Sequence, residues 1–494
     1  MFMKLKNLSF LRNICKPEWV FLIITLLVGS CFAILVPAGG GADEPNHIAR
    51  VESLARGNII ADRIPSRMGY TSPLDEEKVD ALLYGGTVDS ALMDVAWSNM
   101  YSFHGSKNGG GQPVYNFPTW TTPEIISDAI VGESEQVEAF SNTAVNSPVV
   151  YIPYIIGYYI GKVFTNNAYA IILIMRMIGL LCYSIIIFMC IRFIPIGKWV
   201  IATVSLIPAV YVFLSCVTAD TMTFAMCIDF ISIVLHCSAV NRELTRKEWI
   251  LLSSVTVGMA LVKLSYLPML MLLALIPLVN TSMRKRSMMF RGIALTGISC
   301  IVFLCWYLTI SHINTGAMFD VGASPTLQKE VIFNDPLQFI KLLFKQFSEQ
   351  NYFSLGVFGT LDLHTHNGYS GWCGILAVCI SLLIQDKREK RIVVSVKSRI
   401  AAIALFLLTF IVVFVLVETA LYLQFSAVGA TGIAGVQTRY FLPVLPMLLI
   451  PLIFGRPYST PQREDGVVVG MMCTVQIMSA MFALYVLYTT LFTS

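Results

Sequence analysis

The sequence predicts an all-α polytopic membrane protein: about 11 transmembrane helices with a large, mostly helical extracellular loop after the first. Three observations carry that expectation. Of 494 residues, 56% are hydrophobic and only 13% charged, whereas a soluble domain carries about 25% charged residues. Apolar runs such as 21–37, 168–193 and 403–422 match the roughly 20 helical residues that cross a hydrocarbon core. Finally, 21 of the 34 Lys and Arg fall in six short segments, 1–17, 192–198, 241–248, 281–291, 386–399 and 456–466. Such an excess of basic residues marks cytoplasmic connections. A net charge of +4 is too small for a nucleic-acid-binding surface.

The elements follow in order. Residues 1–17 form a cytoplasmic tail with Lys4, Lys6, Arg12 and Lys16. The first span, 18–38, reads as an uncleaved signal anchor, because the apolar run continues past the lipoprotein-like Val28-Gly29-Ser30-Cys31 through Val36. Residues 39–147 form an extracellular acidic loop; from 38 to 147 there are 15 Asp or Glu against 6 Lys or Arg. Helical stretches are expected there at Ile48, Val51 and Leu54 and over 74–83, with a turn at Gly109-Gly110-Gly111. Residues 148–167 form an interfacial helix. The apolar stretch Ser147 to Phe164 is short and rich in Pro, Gly and Tyr, and a crossing there would move the basic 192–198 connection outside. Tyr151, Tyr154, Tyr158 and Tyr159 are thus expected in the headgroup belt.

Residues 168–311 hold spans two to seven (168–193, 199–217, 221–239, 249–264, 265–280, 292–311). A second extracellular loop covers 312–370. Residues 371–494 hold spans eight to eleven (371–385, 400–422, 441–455, 467–492), which leaves the amino terminus cytoplasmic and the carboxyl terminus extracellular. The 12 cysteines lie in or beside apolar segments without a CxxC pair and read as buried hydrophobes. No internal repeat or low-complexity segment stands out.

Three groups of residues carry chemistry. In Asp43-Glu44-Pro45-Asn46-His47-Ile48-Ala49-Arg50, a helix puts positions 43, 47 and 50 on one face at the membrane surface; the alternative is that Asp43 or Glu44 caps a helix with Pro45 in its first turn. Asp220, at the tip before the span beginning at Thr221, projects into the same water layer or caps that helix. Arg176, Lys263 and Arg439 fall in or near the outer leaflet, where unpaired cations are costly. A phosphate would pair them, Arg being the better bidentate donor; pairing with Asp229 or Glu418 and snorkelling are the alternatives. His364-Thr365-His366 beside Asp362 reads as a solvated loop more than a metal site, and His104 lies outside as well.

Asp43-Glu44-Pro45-x-His47, then Ser147-Pro148-Val149-Val150-Tyr151-Ile152-Pro153, Arg176, Ala219-Asp220, Lys263 and Gln437-x-Arg439-Tyr440-x-x-Pro443 resemble a bacterial membrane family, domain of unknown function 2142. That family is in turn similar to the GT-C integral-membrane glycosyltransferases. The resemblance implies a GT-C-like bundle in the bacterial cell membrane, acting as a hexosyl- or pentosyltransferase. Its donor would be a polyprenyl-phosphate-linked sugar and its acceptor a cell-envelope glycan or glycolipid, as in polysaccharide biosynthesis. It also implies Asp43, Glu44 and Asp220 as catalytic residues, and His47, Arg50, Arg176, Lys263, Gln437, Arg439 and Tyr440 as substrate-binding ones. Ala42, Ala219 and Thr438 depart from the family's Pro, Pro and Gly.

The chemistry agrees with the residues: a carboxylate base takes the acceptor's proton, and cations receive the departing lipid phosphate. Asp43, Glu44 or Asp220 are of the type that hold Mg or Mn; the reading leaves that ion open and assigns no metal-ligand set. The competing readings are a transporter or flippase of lipid-linked glycans built on Arg176, Asp229 and Glu418, a glycan polymerase or ligase, and an inactive scaffold.

Overall fold

The computed structural model describes residues 15–64, 83–104, 129–282, 285–313, 323–349, 368–390, 392–454 and 466–492. Its first helix, α1 (Pro17–Leu35), starts with Pro and Glu18 in its first turn and stops before Pro37, the pattern that proline imposes on helix ends. The chain then turns at Gly39, whose φ is +89°. A side chain there would come within 2.0 Å of the Ala96 carbonyl oxygen, so the turn requires glycine.

A compact unit follows. It holds α2 (Glu44–Ala55), β1 (Asp62–Arg63), β2 (Tyr84–Asp89), α3 (Ser90–His104) and β3 (Glu135–Ala139). The strands form an antiparallel sheet in the order β1-β2-β3, with Gly85 opposite Ala139 and Asp89 opposite Glu135. The helix expected at Ile48, Val51 and Leu54 is α2, and those three residues enter the unit's core with Val88, Leu92 and Phe140. The sheet stands beside the helices in a loop expected to be mostly helical, and was not anticipated. Gly85 and Gly86 hid β2, since glycine weakens strand patterning. A side chain at Gly85 would lie 1.9 Å from the Glu138 carbonyl oxygen, so close strand approach is what that glycine permits. The expected helix at 74–83 and turn at 109–111 lie almost wholly outside the described residues.

After the short turns Ser141–Ala144 and Pro148–Tyr151 comes α4 (Ile152–Phe164). Its 13 residues span about 20 Å, short of a hydrocarbon core of about 30 Å. It folds back on α5 (Ala168–Phe193) through Gly157 and Gly161, which meet Met175 and Ile171. The four tyrosines do not form a common belt: Tyr151, Tyr154 and Tyr158 are buried and Tyr159 alone of the four is exposed. Each buried ring sends its hydroxyl to an internal partner: His47 for Tyr151, the Cys216 carbonyl for Tyr154 and Glu52 for Tyr158. Hydrogen bonding inside the unit outcompetes the headgroup layer.

The remaining helices are α6 (Lys198–Val204), α7 (Pro208–Leu214), α8 (Ala219–Ala239), α9 (Arg246–Ala260), α10 (Leu275–Val279), α11 (Lys285–Ile310), α12 (Pro325–Asn334), α13 (Pro336–Glu349), α14 (Gly368–Leu383), α15 (Val396–Phe425), α16 (Pro446–Ile453) and α17 (Gly466–Phe492). Among the described residues, α1, α5, α8, α11, α15 and α17 are the six helices long and apolar enough to cross a membrane. The other expected spans are helical but shorter or broken. Pro208 divides 199–217 into α6 and α7, Pro268 sits in a 3-10 run (Leu264–Ala274) before α10, and Pro443 sits in another (Thr438–Val444) before α16. Proline removes the hydrogen bonds that would keep each segment one straight helix. At the end of the bundle away from α2, Arg388 bonds both Glu18 and Asp386, fastening the start of α1 to the α14–α15 connection.

Candidate functional site

Asp43 stands immediately before α2 with φ +57° and ψ +15°. It is the one non-glycine with positive φ among the described residues. This left-handed conformation costs about 1–2 kcal/mol for a residue with a Cβ. Asp43 occupies the cap position, yet its side chain makes no capping hydrogen bond. The left-handed turn carries the carboxylate out of the helical register and toward Arg439, whose Nη2 lies 3.8 Å from Asp43 Oδ2. Positions 43, 47 and 50 therefore do not share one helix face.

Arg439 also approaches Asp220, with Nε 3.3 Å from Oδ2, and Asp220 Oδ1 accepts from Lys263 Nζ at 2.5 Å. Asp43, Arg439, Asp220 and Lys263 thus form an alternating row of charges, contributed by the α2 approach, the 438–444 turn, α8 and the turn after α9. Tyr440 underlies the two cations: Arg439 Cζ is 5.5 Å and Lys263 Nζ 5.7 Å from its ring centre, a cation–π arrangement. Its carbonyl accepts from Tyr266 Oη. Gln437 Oε1 is buried beside this row without a hydrogen-bond partner.

The tip bearing Asp220 is fixed by its neighbours. Thr218, not Asp220, is the cap of α8, its hydroxyl accepting from the Asp220 N–H. Thr218 Oγ1 also lies 3.3 Å from His47 Nε2, while His47 Nδ1 is 2.7 Å from Tyr151 Oη. His47 is buried, and burial takes its pKa down to about 3; Lys263 and Arg439 push the same way against the opposing charge of Asp220. It is therefore neutral at pH 7, a hydrogen-bonding link between α2 and the Asp220 tip. Asn46 holds α2 in register through Asn142 and Thr143.

Glu44, Arg176 and Arg50 sit elsewhere. Glu44 is fully buried. Its Oε1 accepts from Arg176 Nε and Val217 N, and its Oε2 from Arg176 Nη2, Gly39 N and Gly41 N. Arg176 gives its remaining N–H groups to the carbonyls of Ala33, Val36 and Pro37 at the end of α1. The partner of Arg176 is thus Glu44, neither Asp229 nor Glu418 nor an added phosphate, and the pair welds α1, α2 and α5. Arg50 is buried in the unit, bonding the Asn58 and Ile59 carbonyls, and burial takes its pKa down to about 10. Roles for Glu44 in catalysis and for Arg176 and Arg50 in substrate contact do not fit these enclosed positions.

Of the carboxylates considered for Mg or Mn, Glu44 has its oxygens engaged, and Arg439 stands between Asp43 and Asp220 where a shared ion would sit. The residues present do not form a ligand set, and among the described residues no group of three or more His, Cys, Asp or Glu is placed to hold a metal. His364, His366 and Asp362 lie outside the described residues, as does the side chain of His104.

The family model described as predicted membrane protein, domain of unknown function 2142, matches residues 26–448. No curated protein and no solved structure gives a match. The matched span begins within α1 and ends within α16, so the whole charged row lies inside it.

Proposed function

The chain belongs to this family of predicted membrane proteins, and from that premise we propose that it is a membrane glycosyltransferase. It moves a hexose or pentose from a polyprenyl-phosphate donor to a cell-envelope glycan or glycolipid on the outer face of a bacterial membrane. In this reading the bundle is GT-C-like and crosses 11 times, the shorter and broken helices included, with the amino terminus inside and the Asp43 end of the bundle outside.

The observation that supports the reading best is the row Asp43, Arg439, Asp220, Lys263, which sets carboxylates and cations side by side. Asp43 is the base. It is the more exposed of the two carboxylates, and its contact with Arg439 is loose at 3.8 Å, whereas Asp220 is held by both cations. As the acceptor oxygen bonds to the anomeric carbon, its proton passes to Asp43. The bond from that carbon to the lipid phosphate breaks, and the phosphate's charge is taken up by Arg439 and Lys263. Asp220 orients those cations, and Gln437 and Tyr440 border the donor.

The test is incubation of purified protein with radiolabelled polyprenyl-phosphate sugars and membrane glycan. Label should pass to glycan. Folded protein that transfers none of a panel of hexose and pentose donors would overturn the proposal.

A further inference from the structure

The helix α13 makes aromatic contacts at two levels of the span α15. Phe339 stacks on Tyr422 with ring centres 5.5 Å apart, and Phe347 meets Phe414 edge-on at 5.3 Å. The paired positions are eight residues apart on each helix and in opposite order. The two helices therefore run antiparallel for about 12 Å. A helix lying flat on the membrane surface would cross α15 at one level only.

The depth of these contacts follows from α15 itself. Its apolar stretch begins at Ile400, after Lys397 and Arg399, and about 20 residues reach the far boundary of the hydrocarbon core near residue 420. Tyr422 thus marks that boundary, and Phe414 lies about 9 Å inside it. The surface of α13 matches such a location. Leu337, Ile340, Phe344 and Phe347 are 69%, 47%, 72% and 51% exposed, and their spacing of three, four and three residues makes one stripe. Gln338, Lys341, Lys345 and Ser348 form a second stripe beside it. Lys345 is 3.9 Å from Glu349, which offsets charge at the deeper end, and the Lys341 stem is long enough to carry its ammonium group upward.

We infer that α13 is a membrane-inserted helix, entering the leaflet at the Asp43 end of the bundle with its apolar stripe against the acyl chains of the host membrane. It also supports the candidate site. Gln346 exchanges hydrogen bonds with both backbone groups of Ile433, four residues before Gln437. Phe414, which meets Phe347, also packs on Phe441 two residues after Arg439. The segment that presents Gln437 and Arg439 is thus braced by a helix that the lipid holds in place. The inference concerns membrane placement and stands apart from the transferase reading.

The test places a nitroxide, through p-acetylphenylalanine, at Leu337 and separately at Phe347 of the full chain. The protein is reconstituted in phosphatidylcholine–phosphatidylglycerol vesicles, and label depth is measured from oxygen against nickel-chelate accessibility. The label at 347 should sit about 15 Å deeper than that at 337, given a rise of 1.5 Å per residue. Equal depths, as for a helix lying flat, or free nickel access at both positions would overturn the inference. If either variant fails to give a monodisperse protein, Ile340 and Phe344 form the replacement pair. Their expected difference is about 6 Å in the same direction.

Discussion

Replacing Glu44 by Gln separates the two adjacent acids of the first motif. Glu44 accepts five hydrogen bonds, two of them from Arg176, with no water contact. Gln keeps the volume but exchanges one acceptor oxygen for an N–H2 group, which then faces N–H donors. It also leaves the Arg176 guanidinium buried without a counter-charge. Removing one partner of a buried pair costs about 3–5 kcal/mol, against a total stability of about 5–15 kcal/mol for a typical domain. The expected phenotype is a large loss of thermal stability and yield in detergent, read by intrinsic fluorescence and size exclusion. Whatever folded fraction remains should bind donor with near-normal affinity, since Glu44 does not reach Arg439. A Glu44→Gln protein as stable as wild type within about 1 kcal/mol, yet slowed by about 10² or more in turnover, would refute this assignment. It would return Glu44 to the chemistry.

Three other outcomes follow from the same geometry. Arg439→Ala should weaken binding of a polyprenyl-phosphate sugar, measured on folded protein by isothermal titration, and Arg439→Lys should restore it only in part because the planar fork is lost; unchanged affinity in the Ala variant would remove Arg439 from the donor site. His47 is neutral in the folded state down to about pH 3, but in the unfolded chain takes a proton near pH 6.5. Its contribution to stability is therefore complete above pH 6.5 and is lost as pH falls toward 3, by up to about 1.4 kcal/mol per pH unit; His47→Gln should flatten the unfolding midpoint between pH 7 and 4, and an unaltered slope would contradict the buried neutral assignment. Gly39→Ala would push a methyl group to 2.0 Å from the Ala96 carbonyl oxygen in a left-handed turn, so it should destabilise the 38–147 unit by several kcal/mol, visible as early loss of hydrogen-exchange protection in α2 and α3.

The long apolar segments were legible because a membrane demands about 20 apolar residues in a row, and α1, α5, α8, α11, α15 and α17 answer to that demand directly. The breaks within other segments fall at Pro208, Pro268 and Pro443, residues visible in the sequence but silent about how far each half would tilt. The strand pairing of β2 with β3 was not legible, since Gly85-Gly86 lowers strand patterning while permitting the close approach that forms the sheet. The candidate site was read in part. Asp43, Asp220, Lys263 and Arg439 were each singled out by charge near a membrane face, and the fold brings all four together. Glu44 and Arg176 were singled out by the same charge but neutralise each other. They are 132 residues apart, and no local pattern announces a pairing at that distance. The left-handed conformation of Asp43 was equally hidden, because nothing in Ala42-Asp43-Glu44-Pro45 distinguishes a capping aspartate from one turned outward.

The role of Asp43 is tested most directly by single-turnover transfer from a radiolabelled polyprenyl-phosphate sugar, comparing wild type with Asp43→Asn. Asn tolerates the left-handed conformation and keeps the side-chain volume but cannot accept the proton. A folded protein with near-normal donor affinity and transfer slowed by about 10² to 10⁴ is expected. Transfer within a few-fold of wild type would contradict this expectation, leaving Asp43 as a turn residue and moving the base to Asp220 or to a group outside the charged row.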